Sequence, residues 1–154
     1  MKIRNAEPGD FEFVHQLVQQ VHTLHANSRP DIFYNVDPLT QQDYQSFIQN
    51  ENVIALSAVS AGKVIGYACA ELRHAPKDPI LKPRIVAHLN VLSVSPDFQK
   101  HGAGKALLLA AEAEARRRGA SSMELQVWAF NENAASFYRR LGMSTRSTML
   151  EQKL

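Results

Sequence analysis

One segment of the sequence decides the fold prediction: Val91-Leu-Ser-Val-Ser-Pro-Asp-Phe-Gln-Lys-His-Gly-Ala-Gly-Lys-Ala106. A strand is predicted to end near Ser95, a loop containing Gly102 and Gly104 follows, and a long helix begins at once. Such a junction directs free backbone N–H groups and the positive end of the helix dipole at one point. Glycines let the backbone approach a bound anion closely. The segment therefore predicts a site that suits a phosphate or pyrophosphate group.

Three neighbouring side chains add positive charge to this loop: Lys100, His101 and Lys105. Two common nucleotide-binding loops do not match it. A dinucleotide loop requires a third glycine where Leu107 stands, and an ATP-binding loop requires glycine at Gln99 and Ser or Thr at Ala106. At this point a glycine-containing turn that binds nothing is the alternative to an anion site.

Periodicity and turn residues around the segment predict an alternation of helices and strands. In the first half they predict a helix over Asp10–Asn27 with Asp10 as its N-cap, a helix capped by Thr40, and a hairpin of Val53–Ser60 and Val64–Leu72. In the second half they predict a proline-rich mobile connection over His74–Arg84, a strand over Ile85–Val94, a helix over Lys105–Arg118, a strand over Met123–Phe130, a helix over Glu132–Leu141 and an extended tail over Thr145–Leu154. This order predicts a mixed α/β sheet.

Side chains alternate across the predicted strand Ile85–Val94. The odd positions are apolar and share one predicted face: Ile85, Ala87, Leu89 and Val91. The even positions include His88 and Asn90, followed by Leu92 and Val94. Because successive residues of a strand point to opposite faces, His88 and Asn90 are predicted to lie opposite the purely apolar face.

Composition restricts the class of protein. Hydrophobic residues make up 45% of the 154 residues and charged residues 21%, enough for a packed core in one domain over residues 1–154. The net charge of +2 does not indicate nucleic-acid binding. The single cysteine, Cys69, allows no intrachain disulfide and no cysteine-based zinc site, and it is predicted to be a buried thiol. His22 and His25 lie one helical turn apart without further ligands, so no metal site is predicted.

The sequence contains no segment typical of a membrane protein. Its longest uninterrupted apolar run, Ala106–Ala111, has six residues, whereas a bilayer-spanning helix needs about 20. The first residues lack the hydrophobic region of a signal peptide. A cytoplasmic location and no membrane partner are therefore expected.

Two motifs resemble those of the GCN5-related N-acetyltransferases, the GNAT family. Gln99-Lys-His-Gly102-Ala-Gly104, between a strand and a helix, is similar to the family's acetyl-CoA pyrophosphate motif, Gln/Arg-x-x-Gly-x-Gly/Ala. About thirty residues later, Asn131-Glu-Asn-Ala-Ala-Ser-Phe-Tyr138-Arg-Arg-Leu-Gly142 is similar to the second motif, in which Asn opens a helix, Tyr follows seven residues later and Gly ends it. Both motifs occur in the family's order and at its spacing.

The resemblance implies an α/β (α+β) fold: a mixed, mostly antiparallel central sheet that is splayed open at its fourth strand, Ile85–Val94, and flanked by about four helices. It also implies that the pantetheine arm of acetyl-CoA enters this opening and pairs with main-chain groups. The residues implied in cofactor binding are Leu92, Ser93 and Val94 for the pantetheine arm, and Gln99, Lys100, His101, Gly102, Ala103, Gly104 and Lys105 for the diphosphate. Asn131 would contact the cofactor, and Tyr138 would approach its sulfur and protonate the departing thiolate.

The resemblance leaves the catalytic base open. Members that acetylate ribosomal-protein N-termini carry a glutamate five residues before the Asn of the second motif, where this chain has Gln126. Histone-acetylating members carry a glutamate eleven residues before the Gln of the first motif, where this chain has His88. A histidine titrates near neutral pH and can take a proton from an amine. Glu71, Glu124 and a water-mediated path are the alternatives.

The resemblance thus implies an acetyl-CoA-dependent N-acetyltransferase that moves the acetyl group directly to a primary amine of a small molecule, peptide or protein in a ternary complex. No metal is expected, and the expected state is a monomer or a homodimer without nucleic-acid partners. A non-catalytic acyl-CoA-binding sensor or interaction module on the same fold is the alternative, which Gln126 keeps open and Tyr138 disfavours. Two loop segments, His25–Asp37 and His74–Arg84, are expected to select the acceptor.

Overall fold

A five-stranded sheet with the strand order β1-β2-β3-β4-β5 forms the centre of the computed structural model, which describes residues 1–154. The strands are β1 Lys2–Asn5, β2 Val53–Ser60, β3 Lys63–His74, β4 Ile85–Val94 and β5 Ser122–Glu124. The first four strands pair antiparallel, and β5 pairs parallel to β4. The expected mixed, mostly antiparallel sheet is confirmed.

Four helices flank the sheet: α1 Phe11–Ser28, α2 Gln41–Gln49, α3 Ala103–Arg117 and α4 Glu132–Arg140. The Thr40 hydroxyl accepts a hydrogen bond from the Asp43 N–H, which confirms the predicted cap of α2. The backbone turns after α3 at Gly119 with φ +91° and after α4 at Gly142 with φ +94°, values that favour glycine. None of the helices combines the length and the apolar character needed to cross a bilayer.

Each face of the sheet is covered by its own apolar layer. The face toward α3, here the α3 face, has a core that includes Ile54, Ala68, Leu89, Leu107 and Leu108. The opposite face, here the α1 face, has a core that includes Val14 and Leu17 of α1, Tyr44 of α2, and Tyr67 and Cys69 of β3. Cys69 is buried, as the sequence predicts.

A bulge in β4 overturns the predicted alternation of that strand. Consecutive residues of β3 pair with Val91 and Leu89, which leaves Asn90 as an extra residue without a partner on β3. The alternation predicts Val91 on the same face as Leu89, with Leu92 and Val94 on the other face. Instead, Val91 packs on the α1 face, whereas Leu92 and Val94 pack with Leu89 on the α3 face. The single extra residue reverses the side of every residue that follows it.

Several element boundaries also differ from the prediction. The sequence does not predict β1, because four residues carry little periodicity and take strand form by pairing with β2. The strand predicted over Met123–Phe130 is only Ser122–Glu124, since β4 is the sole neighbour of β5 and their pairing stops there. The helix predicted from Lys105 already starts at Ala103, and the tail Thr145–Leu154 forms no regular element.

Asp10 occupies the N-cap position of α1, as the sequence predicts, but its side chain makes no capping hydrogen bond to the helix. Its buried carboxylate instead accepts hydrogen bonds from the Arg4 guanidinium at 2.7 and 2.8 Å, the Glu7 N–H at 3.0 Å and the Ser57 hydroxyl at 2.9 Å. Asp10 therefore ties the start of α1 to both β1 and β2.

Candidate active site

The sheet is open beyond His88. β4 and β5 pair only through Val86–Ser122, Ala87–Met123 and His88–Glu124. From Leu89 to Val94, the edge of β4 that faces away from β3 has no strand partner. We call this unpaired edge the seam. It lies at the fourth strand, where the resemblance implies that the sheet splays.

The main-chain groups of Leu92 and Val94 point into the seam. On the opposite side of the strand, the Ser95 N–H donates to the Ile65 carbonyl of β3 at 2.8 Å. Because main-chain groups of an antiparallel strand alternate in direction, Ser93 also faces β3, whereas Leu92 and Val94 face away from it. The seam therefore presents hydrogen-bonding groups to a molecule that lies along β4. Of the three residues implied there, Ser93 is the one whose main chain is engaged with β3.

Two glutamine side chains hold the Val94 carbonyl at the end of the seam. Gln99 Nε2 donates to this oxygen at 2.9 Å, and Gln20 Nε2 of α1 lies 3.4 Å from it. The Gln99 side chain thus fastens the following loop to the end of β4. The first residue of the predicted diphosphate motif therefore has a structural role in this loop.

The loop leads into α3 through two residues in the left-handed region, Lys100 with φ +63° and Gly102 with φ +88°. The first N–H bonded within α3 is that of Ala106, which donates to the Gly102 carbonyl at 3.0 Å. The preceding N–H groups, of residues 103–105, have no acceptor in the protein. These are free donors of the kind that the sequence predicts for a diphosphate. The side chains of Lys100, His101 and Lys105 are exposed around them.

Gly104 lies in the first turn of α3, not in the loop where the sequence predicts it. A Cβ at this position would lie 3.2 Å from Phe137 Cζ of α4 and 3.6 Å from Leu92 Cδ2. Close packing of α3 against α4 and β4 therefore favours glycine here, apart from any ligand. Gly102 differs, because the space around it is open and its positive φ alone favours glycine.

The two candidate cofactor contacts of the second motif, Asn131 and Tyr138, lie at the start of helix α4 and within it. Asn131 caps the helix, since its Oδ1 accepts from the Ala134 N–H at 3.1 Å. Tyr138 packs against the α3-face core. Burial raises the pKa of Tyr138 to about 12, so its hydroxyl is protonated at neutral pH. That is the state a proton donor requires.

The three candidate bases lie side by side across the sheet. His88 is the register partner of Glu71 on β3 and of Glu124 on β5, and the three side chains share the α1 face. We call them the base row. Each carboxylate is engaged by an arginine: Arg73 Nε lies 3.2 Å from Glu71 Oε2, and Arg146 Nη1 lies 2.8 Å from Glu124 Oε2. His88 Nδ1 is buried, lies 3.5 Å from Glu124 Oε1 and has no hydrogen-bond partner.

Aromatic rings from three segments meet next to the residues that follow β5. Phe33 lies 5.3 Å from both His25 and Trp128, and Phe130 lies 5.6 Å from His25, measured between ring centroids. Burial lowers the pKa of His25, and the charge of His22 lowers it further, so His25 is neutral at pH 7. The chain has no group of three His, Cys, Asp or Glu residues that could hold a metal ion. The sequence gives no signal for this aromatic cluster, because its members are far apart along the chain.

Comparison with models of protein families matches residues 18–143 to the model described as the acetyltransferase (GNAT) family. The matched range includes the seam, the loop after β4, the base row and α4.

Two sequence relatives are named as acetyltransferases. The mycothiol acetyltransferase of Saccharomonospora viridis is 30% identical over 115 residues, which cover 75% of this chain and 37% of that protein. The uncharacterized N-acetyltransferase MJ1207 of Methanocaldococcus jannaschii is 32% identical over 88 residues, which cover 57% of this chain and 38% of that protein. The chain thus spans less than two fifths of the length of these curated relatives.

Solved structures share the whole fold. A mutant of the BH1408 protein from Bacillus halodurans superimposes with a TM-score of 0.94 at 30% identity, covering 100% of this chain and 99% of that one. The aminoglycoside N-acetyltransferase AAC(6')-Iy in complex with CoA superimposes with a TM-score of 0.75 at 19% identity, covering 99% and 98%. At that identity the second likeness concerns the fold alone.

Proposed function

The chain belongs to the acetyltransferase (GNAT) family, and we propose that residues 1–154 form one N-acetyltransferase domain that transfers an acetyl group from acetyl-CoA to a primary amine. One observation carries the proposal. The seam offers main-chain groups of Leu92 and Val94 at one end of a short loop, and three free N–H groups of residues 103–105 stand at the other. An acyl-CoA needs both features, since its pantetheine arm is an amide chain and its diphosphate is an anion.

The residues present fit acetyl-CoA, which supplies the acetyl group as a thioester when it is bound. The main-chain edge of Leu92–Val94 would pair with the pantetheine amides. The backbone of Gln99–Lys105 would hold the diphosphate, with added charge from Lys100 and Lys105. Asn131, at the start of α4, would contact the same molecule through the part of its side-chain amide that the helix cap leaves free. Membership of the acetyltransferase (GNAT) family supports this choice of donor.

His88 takes the proton from the attacking amine in this proposal. A protonated amine has no lone pair for attack, so a base must accept its proton first. If Glu124 closes the 3.5 Å separation from His88 Nδ1 to hydrogen-bond length, the proton stays on Nδ1 and the lone pair of Nε2 faces the amine. Arg73 and Arg146 keep the two carboxylates engaged, which leaves the imidazole as the free acceptor of the base row.

Transfer then proceeds without a covalent bond to the protein. The amine nitrogen forms a bond to the acetyl carbon, and the bond from that carbon to sulfur breaks. The Val94 N–H, which points into the seam, would donate to the thioester oxygen as it gains negative charge. The Tyr138 hydroxyl would give its proton to the departing thiolate, and His88 would keep the proton of the amine. Holding both reactants in one cleft makes this direct route efficient.

Release of free CoA, measured with acetyl-CoA and a panel of primary amines, tests this function. We expect release that depends on the amine, together with the mass of the acetylated product. Calorimetry with acetyl-CoA alone is the control, because it reports binding without turnover. Tight binding with no turnover on any amine would contradict the enzyme and favour the acyl-CoA sensor.

A further inference from the structure

A cavity of about 530 Å³ opens on the α1 face at the end of the base row. Its charged lining residues are Arg73, Lys82, Arg84, Glu124 and Arg146. Arg73 and Val86, which both line it, are register partners located two residues along their strands from Glu71 and His88. Glu124 belongs to the cavity and to the base row alike. The cavity is therefore continuous with the place where the proposed mechanism deprotonates the amine.

Positive charge dominates the cavity. Four cationic side chains face a single carboxylate, whereas the whole chain carries a net charge of only +2. Two of the four cations are neutralised within the protein, because Arg73 pairs with Glu71 and Arg146 pairs with Glu124. Lys82 makes no ion pair, and Arg84 only contacts the Ser122 hydroxyl at 3.4 Å. Two cations are thus free to meet a ligand.

We propose that this cavity receives the acceptor and selects amines that also carry a carboxylate or phosphate group, with Lys82 and Arg84 as the ligands of that anion. The inference rests on the proposed N-acetyltransferase function. The cavity has the volume of small-molecule sites, which is about 300–1,000 Å³. Both cations come from the loop segment His74–Arg84, and loops on a rigid scaffold commonly select substrates. The amine end of such an acceptor reaches the base row while its anionic end stays at the loop.

Acceptors that differ only at one end test the inference. We compare kcat/KM of the wild-type protein for 5-aminopentanol, 6-aminohexanoate and 5-aminopentyl phosphate. A second set of three acceptors carries the same end groups on a three-carbon chain. We expect kcat/KM to be about tenfold higher for an anionic acceptor than for the amino alcohol, as a charge-assisted contact at a partly exposed site gives. Comparison of 6-aminohexanoate with 5-aminopentyl phosphate shows which of the two anions the cavity prefers. Added salt should reduce the preference, because it screens exposed charges.

Variants then locate the preference. The double substitution Lys82→Ala with Arg84→Ala should raise KM for the anionic acceptors about tenfold and leave the amino alcohol unchanged. Lys82→Glu should reverse the preference, so that kcat/KM is lower for the anionic acceptors than for the amino alcohol. Lys77→Ala is the matched control, since Lys77 lies on the same loop but does not line the cavity.

The outcomes separate the two proposals. Equal acetylation of neutral and anionic acceptors would overturn the anion selection while the acetyltransferase function stands. If no amine is acetylated, calorimetry with 6-aminohexanoate and 5-aminopentyl phosphate decides the cavity by itself. Binding that the double variant loses would support the anion site, and the absence of binding would overturn it.

Discussion

The Tyr138 hydroxyl sits where burial raises its pKa to about 12, so it holds its proton throughout the neutral range. Tyr138→Phe removes only this hydroxyl and keeps the ring that packs on the α3-face core. We expect kcat to fall by about 10²–10⁴, the usual contribution of general acid catalysis, while acetyl-CoA affinity is retained. Stopped assays of CoA release with calorimetry measure both quantities. Tyr34→Phe, at an 84% exposed site, is the control. An unchanged kcat in Tyr138→Phe would rule out Tyr138 as the proton donor to the thiolate.

His88 is the residue whose role the pH dependence of activity can establish. The neutral imidazole is the active form of a base, so kcat/KM of the wild type should rise with pH. His88→Gln should abolish that rise and leave acetyl-CoA affinity intact. Two acceptors of different amine pKa must be compared, since ionisation of the acceptor also produces a rise. A rise that follows the acceptor and persists in His88→Gln would assign the proton transfer to water or to a carboxylate of the base row.

Single residues show what local sequence can predict. Thr40 caps α2 as expected, because the cap is formed by residues three positions apart. Asp10 has the residue type of a cap too, but it is bound by Arg4 and Ser57 from other strands. A contact between distant segments therefore overrides the local preference, and the local sequence does not contain it.

At the scale of elements, strand β3 packs tightly against helix α3 at Gly66. A Cβ there would lie 2.9 Å from Leu107 Cδ1, 3.2 Å from the Ser93 carbonyl oxygen and 3.3 Å from Val94 Cγ2. Gly66→Ala should lower the free energy of unfolding by about 1–3 kcal/mol, since overpacking must displace one of these neighbours. Urea unfolding measures the change. Gly9→Ala is the control, because nothing lies within 4 Å of a Cβ at that position.

Equal stability of wild type and Gly66→Ala would show that the sheet and α3 separate more easily than their packing suggests. Acetyl-CoA binding is worth measuring in the same variant. Ser93 and Val94 bound the tight space around Gly66, so a shift there would also move the seam.

Elements with strong internal periodicity are predictable, and those that depend on a partner are not. Helix α3 and the strand Ile85–Val94 follow from their own residues, with bounds close to the predicted ones. The bulge at Asn90 does not, because it exists only relative to the register of β3. β5 is shorter than the strand predicted over Met123–Phe130, since its pairing with β4 ends at Glu124.

At the scale of the whole molecule, Asp10 connects α1, β1 and β2 through one buried carboxylate. Burial raises the pKa of Asp10, but the hydrogen bonds from Arg4, Glu7 and Ser57 together lower it below its ordinary value. A carboxyl whose folded pKa is depressed stabilises the fold above its unfolded pKa, near 3.9, and loses this effect as the pH falls through the folded value. Asp10→Asn should therefore lower the free energy of unfolding by about 1–3 kcal/mol at pH 7, and by progressively less below about pH 4.

Urea unfolding at several pH values measures this difference between wild type and Asp10→Asn. Asp97→Asn is the control, since Asp97 is exposed and makes no ion pair. If the difference in free energy of unfolding does not change with pH, the substitution acts through packing and not through the charge of the carboxylate.

The candidate site can be predicted from the sequence where its parts are contiguous. The loop from Gln99 and the helix from Asn131 carry their motifs within single segments. The base row needs the register of three strands, so the sequence offers Glu71, His88 and Glu124 only as separate alternatives. The cationic cavity needs in addition the placement of Arg146 from the C-terminal tail beside Glu124.

The seam also leads to an expectation about self-association of the protein in concentrated solution. An unpaired strand edge is a template on which a strand of another chain can add, which is a common start of aggregation. A small molecule that occupies the edge competes with such self-association. By mass action, a ligand at a hundred times its Kd stabilises the occupied state by about 2.7 kcal/mol. With CoA in the storage buffer, concentrated samples should therefore aggregate more slowly. Light scattering should be lower and the melting temperature higher than without CoA.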